Sequence, residues 1–79
     1  SYPCNGRIPG VEGLLNQVYI QPSEGSPSRS PVPRGSTVTI LRNISDFGET
    51  WYEIEYNDGA SRGWILNEFV EPLPDCPPL

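Results

Sequence analysis

Seventy-nine residues make one small domain, and a chain of this length buries only a modest core. Ten carboxylates stand against five arginines, with no lysine and no histidine, for a net charge of −5. That balance, with no basic cluster to interrupt it, argues against nucleic acid and against an anionic membrane surface as partners. The missing imidazole excludes Ser-His and Cys-His nucleophile pairs and His-ligated zinc.

In chain order, the first ten residues, SYPCNGRIPG, hold two prolines and two glycines. This composition predicts an extended arm over residues 1–10 and not a central strand. Val11 to Leu15 is weak, with a slight preference for a short edge strand, and Val18 to Ile20 reads as a better strand. Gln21 to Arg34 carries four prolines and four serines and reads as a long loop, within which Pro31-Val32-Pro33 is expected to run extended and bury Val32. Val38 and Ile40 alternate with Thr37 and Thr39, the period of a half-buried strand.

Arg42 to Thr50 reads as a polar loop in which Ile44 and Phe47 are conspicuous. They either fold back on the core, or Phe47 walls a surface groove. Asn43-Ile44-Ser45 also matches a glycosylation triplet. Trp51, Tyr52, Ile54 and Tyr56 alternate with Glu53 and Glu55 to give a second strand. On this alternation Tyr52, Ile54 and Tyr56 share the core direction and Trp51 points the other way. Asn57-Asp58-Gly59 tolerates positive φ and predicts a hairpin turn. Gly63 opens a third strand with Ile65 inward and Trp64 largely outside. Asn67-Glu68-Phe69 is one helical turn before a last short strand. The end, EPLPDCPPL, has four prolines and reads as a polyproline-like tail.

Cys4 and Cys76 are the only cysteines. Neither lies in an apolar run where a buried thiol would hide, which favours pairing over two free thiols. Pairing would close a loop around nearly the whole chain and place the protein in the periplasm or outside the cell. With no initiator methionine, no signal-type segment and no membrane-length apolar run, the sequence reads as a mature or excised piece.

Catalytic and metal chemistry find little support. Glu53 and Glu55, two apart on a strand, would share one face at roughly 6.5–7 Å, but adjacent acids on an exposed strand are usually a solvated face. Asp46, Glu49, Glu68 and Glu71 match no calcium-loop spacing. No CxxC pair and no phosphate-binding glycine loop is present, so no cofactor or metal is expected.

The order Gly35, Thr37-Val38-Thr39-Ile40-Leu41, Trp51-Tyr52 and Gly63-Trp64-Ile65, preceded by Val18-Tyr19-Ile20-Gln21-Pro22-Ser23, resembles the bacterial SH3-like family. The resemblance covers roughly residues 14 to 73. It implies an all-β fold: a small SH3-like β-barrel of about five short strands with one 3-10 turn. The barrel would span 14–73, with proline-rich arms at 1–13 and 74–79. It also implies a non-catalytic binding or targeting module of an exported protein. In that family the first aromatic of the Trp-Tyr pair and the aromatic of the helical turn line a shallow groove beside the long first loop. Here these are Trp51 and Phe69, with Phe47, Tyr19 and Glu49 completing the candidate site. The implied ligand is a cell-wall peptide or another extended peptide, and the implied companion a hydrolase domain. The proline-peptide-binding SH3 domains end in Pro-Ser-Asn-Tyr-Val, where this chain has Leu66-Asn67-Glu68-Phe69-Val70. Two other readings stay open: a spacer or oligomerising unit whose arms fill the groove, and an adaptor for proline-rich peptides.

Overall fold

Period-two alternation builds the centre of the molecule. In the computed structural model, which describes residues 1–79, the alternating segments form β4 (Thr37–Asp46), β5 (Glu49–Tyr56) and β6 (Ser61–Leu66), paired antiparallel in succession. β1 (Cys4–Arg7) lies on the other side of β4 and is followed at the edge by β7 (Glu71–Pro72), giving a five-stranded sheet in the order β6-β5-β4-β1-β7. β2 (Leu15–Asn16) and β3 (Val32–Pro33) pair as a second, two-stranded sheet. About five strands were expected and seven are found; apart from the 3-10 turn Asn67–Phe69 there is no helix. The two sheets are linked through Tyr19, whose N–H donates to the Trp64 carbonyl at 2.8 Å and whose carbonyl accepts from the Trp64 N–H at 2.7 Å.

Several local expectations are corrected. Residues 4–7 are not part of a free arm: they form a strand between β4 and β7, in register Cys4↔Ile40 and Gly6↔Val38. Gly6 fits there because it lacks a side chain; a Cβ would stand 2.8 Å from Ile40 Cδ1 and 3.1 Å from Val70 Cγ1. Residues 42–46 are not loop. β4 runs on past a bulge between Ile40 and Arg42 and turns tightly at Phe47-Gly48, with φ of 49° and 77°. The strand begins before Gly63, at Ser61, and Gly63 lies inside it. Val18 to Ile20, read as a strand, carries only isolated bridges at Tyr19, and the short strand expected within Val11–Leu15 falls at Leu15–Asn16. Asn57, Asp58 and Gly59 all have positive φ in the β5–β6 turn, Val32 is fully buried, and the helical turn spans Asn67–Phe69.

Two apolar clusters sit on opposite faces of β5. Tyr52, Ile54 and Tyr56 point into the larger one with Val18, Val32, Ile40 and Ile65. Trp51 points the other way, as alternation requires, into a smaller cluster with Trp64 and Leu66. Trp64, expected largely outside, is 5% exposed because the Arg42 guanidinium lies 5.0 Å from its ring centroid and Ile44 and Tyr19 pack against the cluster. Cys4 and Cys76 form a disulfide, with Cα atoms 5.1 Å apart across 72 residues of chain. Closing a loop of that length contributes roughly 4 kcal/mol in the chain-entropy model, which compensates for the modest core. The C-terminal segment is held, not splayed: the Leu73 N–H donates to the Asn5 carbonyl, and Asp75 accepts from the Asn5 backbone and side-chain amides.

Candidate functional site

A groove of about 190 Å³ opens between the long loop and the 3-10 turn. Three sequence features place its walls. The 18–28 segment folds back on itself through the Ile20 N–H to the Pro27 carbonyl and the Arg29 N–H to the Val18 carbonyl. That fold presents Tyr19 and Glu24 to the groove. The single helical turn after β6 presents Phe69, which remains 41% exposed. Ile65 and Leu66 of β6, with Asn16 of β2 and Gln17 just after it, complete the lining.

The polar groups are partly committed. Asn16 Oδ1 accepts from Arg34 Nε at 2.9 Å, leaving its amide nitrogen free to donate. Gln17 is fixed by a hydrogen bond from its amide nitrogen to the Ser28 hydroxyl and by the Tyr19 hydroxyl, which donates to its carbonyl oxygen. That pair holds the Tyr19 ring upright, edge-on to Trp51 with centroids 5.8 Å apart. Glu24 enters no ion pair; the two in the chain are Arg42–Glu53 and Arg62–Glu55. The groove therefore offers two aromatic walls, an apolar strip, one free carboxylate and one free amide donor.

Of the five residues expected to bind ligand, the structure brings Tyr19 and Phe69 together here. Trp51 is 1% exposed and does not reach the groove; it supports the Tyr19 ring from behind. Phe47 and Glu49 line no part of it. The hairpin extension of β4 and β5 carries Phe47 to its tip, 96% exposed, so it neither caps the core nor walls the groove. Asn16, Gln17, Glu24, Ile65 and Leu66 also line the groove and were not among the residues expected there; the polar three stand out least. Their signal in the sequence is weak: a polar pair beside a short strand, and the only acid in the 21–34 loop.

The acidic pair weighed for catalysis is engaged. Glu53 accepts from Arg42 Nε at 2.9 Å and Glu55 from Arg62 at 3.0 Å, so each carboxylate faces its own guanidinium and not its neighbour. Asn43 of the glycosylation triplet is spoken for as well, donating to the Tyr2 hydroxyl at 2.9 Å. No three acidic or cysteine side chains gather into a metal-sized cluster.

A single all-β unit with a shallow aromatic groove between a long first loop and one 3-10 turn defines a small SH3-type module. The chain belongs to the bacterial SH3 domain family, whose profile matches residues 13–71. No curated protein and no solved structure matches it.

Proposed function

We propose that this chain is a non-catalytic binding or targeting module of an exported bacterial protein, and that it takes an extended peptide in the Tyr19–Phe69 groove. The observation that carries the reading is the groove itself: Tyr19 and Phe69 line it together with Ile65 and Leu66, and Glu24 and Asn16 add polar groups. An extended backbone lays its apolar groups against rings and its amides against such polar groups. Membership in the bacterial SH3 family makes a cell-wall peptide the first candidate, with a hydrolase domain as companion. The Glu24 carboxylate and the net charge of −5 favour a ligand that carries an amine. The Cys4–Cys76 disulfide supports an oxidising, extracytoplasmic location.

The spacer reading, in which the arms fill the groove, is less well supported. No residue of 1–13 or 74–79 lines it; Pro77, Pro78 and Leu79 lie instead beside Tyr52 and Val70. An NMR titration with a cell-wall stem peptide tests the proposal. Saturable shifts at Tyr19, Glu24 and Phe69 are expected, and Phe69→Ala should weaken binding about fivefold or more, as loss of an aromatic anchor does. Shifts that stay absent at high peptide, or that saturate elsewhere and ignore Phe69→Ala, would sink it.

A further inference from the structure

Only two of the chain's asparagines and aspartates precede a glycine, at Asn5-Gly6 and Asp58-Gly59. At such a junction the glycine nitrogen can close a five-membered ring on the preceding side chain, because glycine puts no side chain of its own in the way. The fold treats the two junctions in opposite ways.

Asn5 is locked. Its side-chain amide donates to the Asp75 carboxylate at 2.9 Å, its backbone N–H donates to the same carboxylate at 3.1 Å, and its carbonyl accepts from the Leu73 N–H. Gly6 is buried in β1, in register with Val38 on one side and Pro72 on the other.

Asp58 is open. It and Gly59 are exposed in the β5–β6 turn, with φ of 56° and 84°. The turn is closed by the Ala60 N–H to the Asn57 carbonyl at 3.1 Å and by the Asn57 amide to the Ser61 oxygen at 3.2 Å, and neither bond uses Asp58 or Gly59. The Gly59 N–H is free, and the Asp58 carboxylate stands outside both ion pairs of the chain. Nothing lies within 4 Å of where a Gly59 Cβ would stand, so a ring has room. Both residues border an open notch with Thr37, Thr39 and Glu55, so solvent reaches the junction.

We propose that Asp58 is a site of spontaneous conversion to isoaspartate in the folded protein, and that the fold silences Asn5. In a free chain Asn5 reacts faster, since an amide is attacked directly and a carboxylate must first take up a proton. At Asp58 the Gly59 nitrogen attacks Cγ of the protonated carboxyl. The N–Cγ bond forms, the Cγ–OH bond breaks, and the hydroxyl leaves as water with the amide proton. Water then opens the ring. Cleavage of the new N–Cγ bond restores aspartate. Cleavage between that nitrogen and the main-chain carbonyl carbon routes the backbone through Cγ, as isoaspartate. The isomer adds one methylene to the turn, away from the Tyr19–Phe69 groove, which no residue of 57–61 lines.

The test ages the intact, disulfide-bonded chain at neutral pH and physiological temperature, then reduces it and cleaves it at arginine. Asn5 falls on peptide 1–7 and Asp58 on peptide 43–62. Electron-transfer fragmentation locates isoaspartate, and the mass change from amide to acid reports deamidation of Asn5. Isoaspartate at Asp58 should exceed conversion at Asn5 by about tenfold or more, because Asn5 reacts only when its bonds to Asp75 break and β1 opens. In the reduced chain held in denaturant the order should invert. Asp58→Glu, whose ring would need a sixth member, should abolish the Asp58 product and leave Asn5 unchanged. Four results would each overturn the proposal: native conversion at Asn5 that matches Asp58, no more isoaspartate at Asp58 than at Asp46, the same order in denaturant, or a signal that survives Asp58→Glu.

Discussion

Replacing Gly63 by alanine tests how the two sheets are joined. The added methyl would stand 2.5 Å from Val18 Cγ1 and 2.8 Å from the Tyr19 carbonyl oxygen. Carbon atoms pack at about 3.5–4.0 Å, so one of the two segments must retreat by roughly 1 Å. Val18 is a stiff β-branched side chain at 0% exposure, and the Tyr19 oxygen is backbone. Neither can swing aside. The retreat stretches the paired Tyr19–Trp64 hydrogen bonds from 2.8 and 2.7 Å beyond useful length. Two such bonds are worth about 2 kcal/mol together, and overpacking adds about 1–3 kcal/mol. Alanine in place of glycine in a strand returns about 0.5–1 kcal/mol. The net is a loss of roughly 2–4 kcal/mol, a fall in Tm of about 10–25 °C for a domain of this size. Thermal melts followed by near-UV circular dichroism, with the disulfide intact, measure it. Gly25→Ala, where the nearest atom is Ser23 Oγ at 3.7 Å, is the comparison and should stay within about 0.5 kcal/mol. If Gly63→Ala melts with the wild type, the close approach of β6 to residues 18 and 19 does not hold the sheets together.

Two further outcomes follow from particular residues. Phe47→Asn should raise Tm by about 4–8 °C, because Phe47 sits at φ 49° and 96% exposed: asparagine relieves about 1 kcal/mol of left-handed strain and no packing is lost; a fall in Tm would refute this. Alkali should unfold the chain through its core tyrosines. Tyr52 is raised by burial and then by Tyr2, and Tyr56 by burial against an opposing pull from Arg29, so the folded state favours their neutral forms. That contribution to stability is complete below the unfolded value of about 10 and is lost as pH rises through the folded values. Absorbance at the phenolate band should show two of the four tyrosines ionising late, together with loss of near-UV signal; four tyrosines titrating as one near pH 10 with the fold intact would refute it.

Much of the fold was legible because its longest strands announce themselves. Trp51 to Tyr56 alternates cleanly, Asn57-Asp58-Gly59 can hardly be anything but a turn, and Val32 between two prolines had no other place than the core. β1 was not legible. Cys-Asn-Gly-Arg contains no β-branched residue, and its inward face is carried by a cysteine and a glycine whose room is defined by Ile40 and Val70, far away in sequence. The far half of β4 was hidden for a related reason: Asn43, Ser45 and Asp46 are poor strand formers and extend only because β5 lies opposite them. At the site, alternation correctly turned Trp51 away from the main core. It could not show that Trp64, Leu66 and Tyr19 would cover it there, which moves the exposed ring surface to Tyr19 and Phe69.

The Cys4–Cys76 bridge has a mechanical consequence. Its two Cα atoms are 5.1 Å apart, so the polypeptide enters and leaves the fold at one point. A pull applied to the two ends runs from residue 4 to residue 76 through the sulfur–sulfur bond, and the 71 residues between them carry none of the tension. The Tyr19–Phe69 groove lies inside that unloaded loop. A ligand held there experiences force only through the ligand itself, so stretching the chain by its ends leaves the groove in its resting shape, while reductant would put it under load.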